Sequence, residues 1–422
     1  MSAAALTAPQ QAAVQRRTVL VLSFGQVLGG IAFGATVSLG ALLAADISGD
    51  DALSGLATAS VTLGAALCAI PLARLAARVG RRRALTLGNL FALVGIAVVI
   101  LAAALRVFPL LLIGILMIGA GNAGNLQSRF AATDLAAPAH RGRDLSIVVW
   151  ATTVGGVAGP LLLGPGEVVG AAIGMPPQTG SYVFSFVAQS AALVLYLVAL
   201  RPDPLLAAQR LATAAADTAV AVRADRPTVA RYAMFAIAGS HVVMASVMAM
   251  TPIHLAHMAQ SAHTGHDMAG AAADVSQLVG VTIALHVAGM YALSPVFGIL
   301  ADRWGRLRVV LLGQVLLAGS LGFAIFANDD AWGVMVALIL LGLGWSAATV
   351  AGAALLTEAS APEIRTRRQG RSDSLMSLSA AAGAVLAGVI LSNFQYAGLG
   401  IAASVLVLAI VAVSPLARSP RR

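Results

Sequence analysis

Twelve apolar runs, each long enough to cross a bilayer, constrain this chain more than any other feature. They fall at about 18–44, 53–77, 84–105, 109–133, 145–173, 180–200, 229–258, 275–299, 308–327, 331–357, 373–393 and 396–415 of 422 residues. A spanning helix needs roughly 20 mostly apolar residues. In a bilayer core, backbone N–H and C=O groups must be satisfied within the segment, which selects helix for each run. Only 10% of the residues are charged and mean hydropathy is +0.90, so a soluble globular chain is excluded. The net charge of +9 does not mark a nucleic-acid binder, because the arginines sit between apolar runs rather than on one solvated face. All 26 basic residues are Arg, a sign of a GC-rich genome. The single cysteine, Cys68, permits neither an intrachain disulfide nor a thiolate cluster. The polar N-terminal stretch is not expected to be a cleavable signal, since the first apolar run is too long and more spans follow.

The arginines orient the spans. Arg16 and Arg17 precede the first run, and Arg78 with Arg81 to Arg83 follow the second. Further groups follow runs 4, 6, 8 and 10, and Arg418, Arg421 and Arg422 end the chain. With twelve spans all of these lie on one side, and the positive-inside rule makes that side cytoplasmic. The opposite loops carry acidic residues such as Asp46, Glu167, Asp267, Asp329 and Asp330, with Arg106 the one basic exception. Both termini are therefore expected in the cytoplasm of a bacterial cell, with the chain in its inner membrane.

The expected organisation is a six-helix half over 1–200, a cytoplasmic linker over 201–228 and a second six-helix half over 229–422. The linker carries Pro202, Pro204 and Pro227 among alanines and mixed charge. The halves repeat. Leu75-Ala76-Ala77-Arg78-Val79-Gly80-Arg81 aligns with Leu300-Ala301-Asp302-Arg303-Trp304-Gly305-Arg306 at an offset of 225, and Thr133-Asp134 with Pro138 aligns with Thr357-Glu358 and Pro362 at 224. Parallel six-span repeats place a substrate site near the bilayer midplane between them.

The segment from Gly298 to Arg306 resembles the signature loop of the major facilitator superfamily. The resemblance implies an all-α membrane protein of twelve helices in two parallel repeats. It also implies a gating role for Asp302, Arg303, Gly305 and Arg306, a charge latch at the cytoplasmic face. The first-half copy departs from the pattern, with Ala77 in place of the aspartate and Ala73 in place of a glycine. Gly155-Gly156-Val157-Ala158-Gly159-Pro160, followed by Gly164-Pro165, resembles the glycine-proline motif of proton-coupled exporters in that superfamily. Physically it predicts a close-packing, kinkable helix, which serves either direction of transport.

Substrate identity must come from polar groups within the spans. No Asp or Glu is expected near the middle of any span; Asp134 and Glu358 sit at helix ends as partners for arginines, and Arg129 is expected to snorkel or to pair with Asp134. Methionine and histidine are clustered instead. Residues 234–290 hold 13 of the chain's 19 Met and His, where even spreading would place fewer than three. In span 7, His241, Met244 and Met248 share one helix face; in span 8, His286 and Met290 lie four apart. Thioethers with an imidazole suit Cu(I), and a hard ion would want carboxylates. His254, His257, His263 and His266 form an auxiliary set at the exterior end of span 7, which zinc would also accept. The paired motifs, Met244-x-x-x-Met248 and His286-x-x-x-Met290, resemble those of the CcoA-type copper importers, which implies a copper-ligand role for these four residues. Each motif alone reads as packing. Gln26, Asn122, Asn125 and Trp345 are further candidates for a cavity lining, or for interhelical hydrogen bonds.

The leading expectation is a secondary transporter that imports copper as its substrate, with no bound cofactor, acting as a monomer in the lipid bilayer. The alternative is a proton-coupled exporter of drugs or metabolites. A metal-binding sensor lacks a soluble domain to signal through. No enzyme is expected: the chain has no Walker loop, HExxH or serine elbow.

Overall fold

The computed structural model describes residues 7–49, 53, 55–176, 178–216, 225–262 and 281–417. The described chain is all-α. Eleven of its helical segments are long and apolar enough to cross a membrane. The remaining apolar run, 145–173, is divided into α5 (Arg141–Leu161) and α6 (Leu163–Ala172). Pro165 falls in the first turn of α6, where its missing N–H leaves no helical bond unmade.

Two compact units emerge. The first comprises residues 1–226 together with 357–378, and the second comprises 227–356 together with 379–422. The chain thus crosses between units inside α14 (Pro362–Ala412), a helix interrupted only by the non-helical Gln395.

In the first unit, α1 (Ala8–Ser48) packs on α5 and α7 (Ser181–Ala199), while α4 (Phe108–Ala131) packs on α2 (Gly55–Val79) and α3 (Arg81–Leu105). Leu39, Leu43, Ile96, Val99, Leu111, Ile115 and Tyr182 form a shared core. Lipid supplies no hydrophobic drive between helices, so close backbone approach takes its place. A Cβ on Gly119 of α4 would lie 2.1 Å from the Val61 carbonyl oxygen of α2. Gly155 plays the same part on α5, where a Cβ would sit 2.3 Å from the Val27 oxygen of α1. The glycine-proline segment is therefore both close-packed and broken, as its sequence predicted. Cys68 is half-buried against Ala69, Leu72 and Ala123.

α8 (Pro204–Ala216) lies in the segment read as a linker. At that segment's far end, Asp225 accepts hydrogen bonds from both terminal nitrogens of Arg368 and from the Ala361 amide. Those bonds, the Arg368 guanidinium foremost, hold its carboxyl below the usual carboxylate range.

The second unit contains α9 (Pro227–Ala262), α10 (281–291), α11 (Ser294–Trp304), α12 (Arg306–Phe326), α13 (Ala331–Ala359) and the later part of α14. Gly342 of α13 lets α10 approach so closely that a Cβ there would lie 2.4 Å from the His286 carbonyl oxygen.

Candidate functional site

The second unit gathers most of the Met/His pattern. Met244 of α9 and Met290 of α10 are buried in one cluster with Leu338, Leu341, Trp345 and Tyr396, and Met248 and Tyr291 pack against it half-buried. His286 is fully buried. Its Nδ1 lies 2.8 Å from the Leu338 carbonyl oxygen, so the ring is tied to the backbone of a residue in the same cluster. A carbonyl can only accept, so Nδ1 carries the proton in this contact and Nε2 keeps its lone pair. That Nε2 is buried and, among the described residues, has no hydrogen-bond partner.

The other candidates are engaged differently. His241 accepts a hydrogen bond at Nδ1 from Trp345 Nε1, 2.7 Å away, and Tyr291 meets Trp345 edge-on at 5.7 Å between centroids. His254 stacks flat on Tyr396 at 4.2 Å, with its Nε2 2.8 Å from the Asn328 carbonyl oxygen. Tyr396 in turn shares a hydrogen bond of 2.9 Å with Thr251. His257 lies on α9, and the placement of its side chain is outside the described residues, as are His263 and His266. Among the described residues, no three His, Cys, Asp or Glu side chains gather as a metal-holding group. Gln26 of α1 donates to Thr152 of α5 at 3.1 Å. The Asn125 amide lies against Gly29, where a Cβ would be 2.6 Å from it. Asn122 is half-buried.

At the signature loop, Arg306 of α12 donates across the Gly305 turn to Asp302 of α11 at 2.7 Å, and to the Ala301 carbonyl at 3.1 Å. Arg303 is exposed. Gly305 turns the chain between α11 and α12 at φ 98°, and its repeat counterpart Gly80 does the same between α2 and α3 at φ 95°. That left-handed region favours glycine, which has no Cβ. The first-half loop solves its charge problem otherwise. Arg81, lacking an aspartate at Ala77, reaches the Asp134 carboxylate through Nε at 2.9 Å and Nη2 at 3.2 Å, and Nη2 also meets Gln369 at 2.7 Å.

One expectation is corrected. Arg129 neither snorkels nor pairs with Asp134, which Arg81 has taken; it pairs with Asp373. Arg129 stands in the last turn of α4, so Asp373 lies level with the end of that span. α14 begins at Pro362, eleven residues before Asp373, so a residue placed at the edge of an apolar run is inside the helix and fully buried. The cue in the sequence was the helix start Ala361-Pro362-Glu363, which extends the helix back through a basic stretch.

Comparison with known proteins agrees with this architecture. The Major Facilitator Superfamily model matches residues 22–281 and 255–422. YddS, an MFS-type transporter of Bacillus subtilis (strain 168), is 35% identical over 413 residues, covering 96% of this chain and 91% of its own. The riboflavin transporter RfnT of Brucella anthropi is 32% identical over 395 residues, covering 90% and 91%. The fold resembles that of the human organic anion transporter MFSD10, with a TM-score of 0.73 at 19% identity over 95% of this chain and 99% of that one. Repeat, signature loop, apolar helices and family match converge: this chain belongs to the Major Facilitator Superfamily and is a multi-pass membrane protein of the secondary-transporter class.

Proposed function

We propose that the protein imports copper by alternating access through Met244, Met248, His286 and Met290. The observation that carries this reading is the buried His286 Nε2, which holds a lone pair and has no partner among the described residues. A buried unsatisfied nitrogen is costly unless something occupies it in the working cycle. Metal-binding imidazoles are commonly fixed by a hydrogen bond from the other ring nitrogen, as Leu338 fixes this one. The thioethers of Met244 and Met290 belong to the same cluster as Leu338, and neutral soft donors favour Cu(I) over harder ions. Direction and setting follow from resemblance and from the arginine pattern: a bacterial cytoplasmic membrane with both termini inside. The test is copper content in cells lacking the gene, with and without the restored gene. Wild-type protein should restore copper. The double variant Met244→Leu, Met290→Leu should not, at similar protein abundance and with zinc and manganese unchanged. Full restoration by the double variant would return these residues to packing.

A second reading is favoured by one observation. RfnT, similar over nine-tenths of the chain, is named for riboflavin, a planar heteroaromatic solute, and Tyr291, Trp345 and Tyr396 bring three aromatic rings to the same cluster. Under this reading the deletion strain would lose riboflavin uptake with copper unchanged, and Trp345→Ala would abolish it where Met290→Leu would not.

A further inference from the structure

A cavity of about 600 Å³ opens beside the start of α1, lined wholly by residues of the first unit. That volume is in the range of small-ligand sites, roughly 300–1,000 Å³. α1 lines it with Gln15, Arg16 and Leu20, and α5 with Arg143, Asp144 and Ile147. His140 joins them from the turn Pro138–His140 that leads into α5. Along both helices the lining changes from polar to apolar in the same sense, and the apolar runs begin at about 18 and 145. The charged end therefore stands at the edge of the spans. Beyond it an apolar stripe continues on each helix, since spacings of three and four residues stay on one face. Arg16 is followed by Leu20 and Phe24, and Arg143 by Ile147, Trp150 and Val154; Ile147 is half-buried and the others are exposed. Two arginines and one aspartate give the lining a net positive charge. Asp144 is already engaged at both oxygens: Gln15 Nε2 donates to Oδ2 at 2.7 Å, and Arg143 donates to Oδ1 through Nε at 3.1 Å and Nη2 at 3.0 Å.

We propose that this groove binds an anionic glycerophospholipid, with the phosphate at Arg16 and His140 and the acyl chains along Leu20, Phe24 and Trp150. Charge selects the headgroup. A phosphodiester brings one negative charge to a lining with a surplus positive one, and basic pockets between membrane helices suit such headgroups. A zwitterionic headgroup would bring its ammonium to the same positive lining and find both Asp144 oxygens taken. The apolar stripes select a lipid over a soluble anion, which would use the basic end alone. Arginine at the edge of a span reaches the headgroup level while its stem lies on apolar surface. A lipid seated here touches α1 and α5 together, the pair of helices already drawn close where Gly155 meets the Val27 carbonyl. The inference is independent of which solute the protein carries.

The test titrates full-length protein in detergent with dioleoyl phosphatidylglycerol and reads bound lipid by native mass spectrometry. Dioleoyl phosphatidylethanolamine and inorganic phosphate are the matched arms. Wild type should bind phosphatidylglycerol more tightly than phosphatidylethanolamine, and phosphate at equal concentration should not displace it. Arg16→Gln should weaken phosphatidylglycerol binding about fivefold, the share of one arginine at an anionic lipid surface. Ala12→Trp, at an exposed position of the lining, obstructs the groove with every charge intact and should also weaken binding. Arg83→Gln removes an exposed charge outside the groove and should bind as wild type does. Both groove variants lie at exposed positions, and melting temperatures without added lipid should match wild type. Equal affinity for the two lipids, or displacement by phosphate, would overturn the proposal. So would wild-type binding by Arg16→Gln or Ala12→Trp, or an equal loss in Arg83→Gln.

Discussion

Arg81 grips Asp134 at both carboxylate oxygens, and both side chains are withdrawn from solvent, at 1% and 0% exposure. Its repeat counterpart Arg306 bonds instead to Asp302 of the adjoining helix, across the Gly305 turn. The difference traces to one substitution between the repeats. Where the second half has Asp302, the first has Ala77, so Arg81 turns to the carboxylate at the end of α4.

That arrangement makes Asp134 a structural residue. Asp134→Asn should leave the Arg81 charge buried without its partner, a loss of about 3–5 kcal/mol. Thermal unfolding in detergent should show a marked drop for Asp134→Asn. Arg83→Gln, at an exposed position in the same loop, should stay within about 0.5 kcal/mol of wild type.

Asp302 should behave differently. Its bond to Arg306 is local, and both residues keep other contacts. Asp302→Asn is expected to slow transport in vesicles while thermal stability changes little. An unchanged transport rate would remove the gating role.

The proposed ligands predict a graded series in cellular copper. Met248 is half-buried, and Met248→Leu should weaken uptake without abolishing it, because three donors remain. Leu conserves volume, so stability should change by less than about 1.5 kcal/mol. His286→Leu should be more severe, because it removes the imidazole. Equal copper content in both variants would argue against a shared site.

Backbone approach in the first unit can be probed with two glycines. At Gly119 a Cβ would stand 2.1 Å from a carbonyl oxygen, whereas at Gly156 nothing lies within 4 Å. Gly119→Ala should cost about 1–3 kcal/mol through forced separation of α2 and α4, and Gly156→Ala should be tolerated. Comparable melting temperatures for the two variants would show that the α2–α4 approach is not tight.

Topology carries its own check. A reporter fused to the C-terminus should read as cytoplasmic, because nearly all arginines then share one side. An exported signal would overturn the orientation.

Local pattern determined much of this protein. Length and apolarity of the runs set helix as the only spanning structure, since an isolated segment in lipid must satisfy its own backbone. The repeat and the Gly298–Arg306 segment marked the family, and the spacing of Met244, Met248, His286 and Met290 put each pair on one helix face because helical neighbours recur every three to four residues. Pairing across helices was decided elsewhere. Sequence proximity suggested Asp134 for Arg129, but α3 brings Arg81 to Asp134 and α14 brings Asp373 to Arg129 from 244 positions away. A buried charge takes whichever opposite charge the packed helices deliver, and that depends on helix rotation and on where each helix begins. The His286 lone pair was likewise invisible in the sequence. Its availability depends on the Leu338 carbonyl of another helix, brought near by the missing side chain of Gly342.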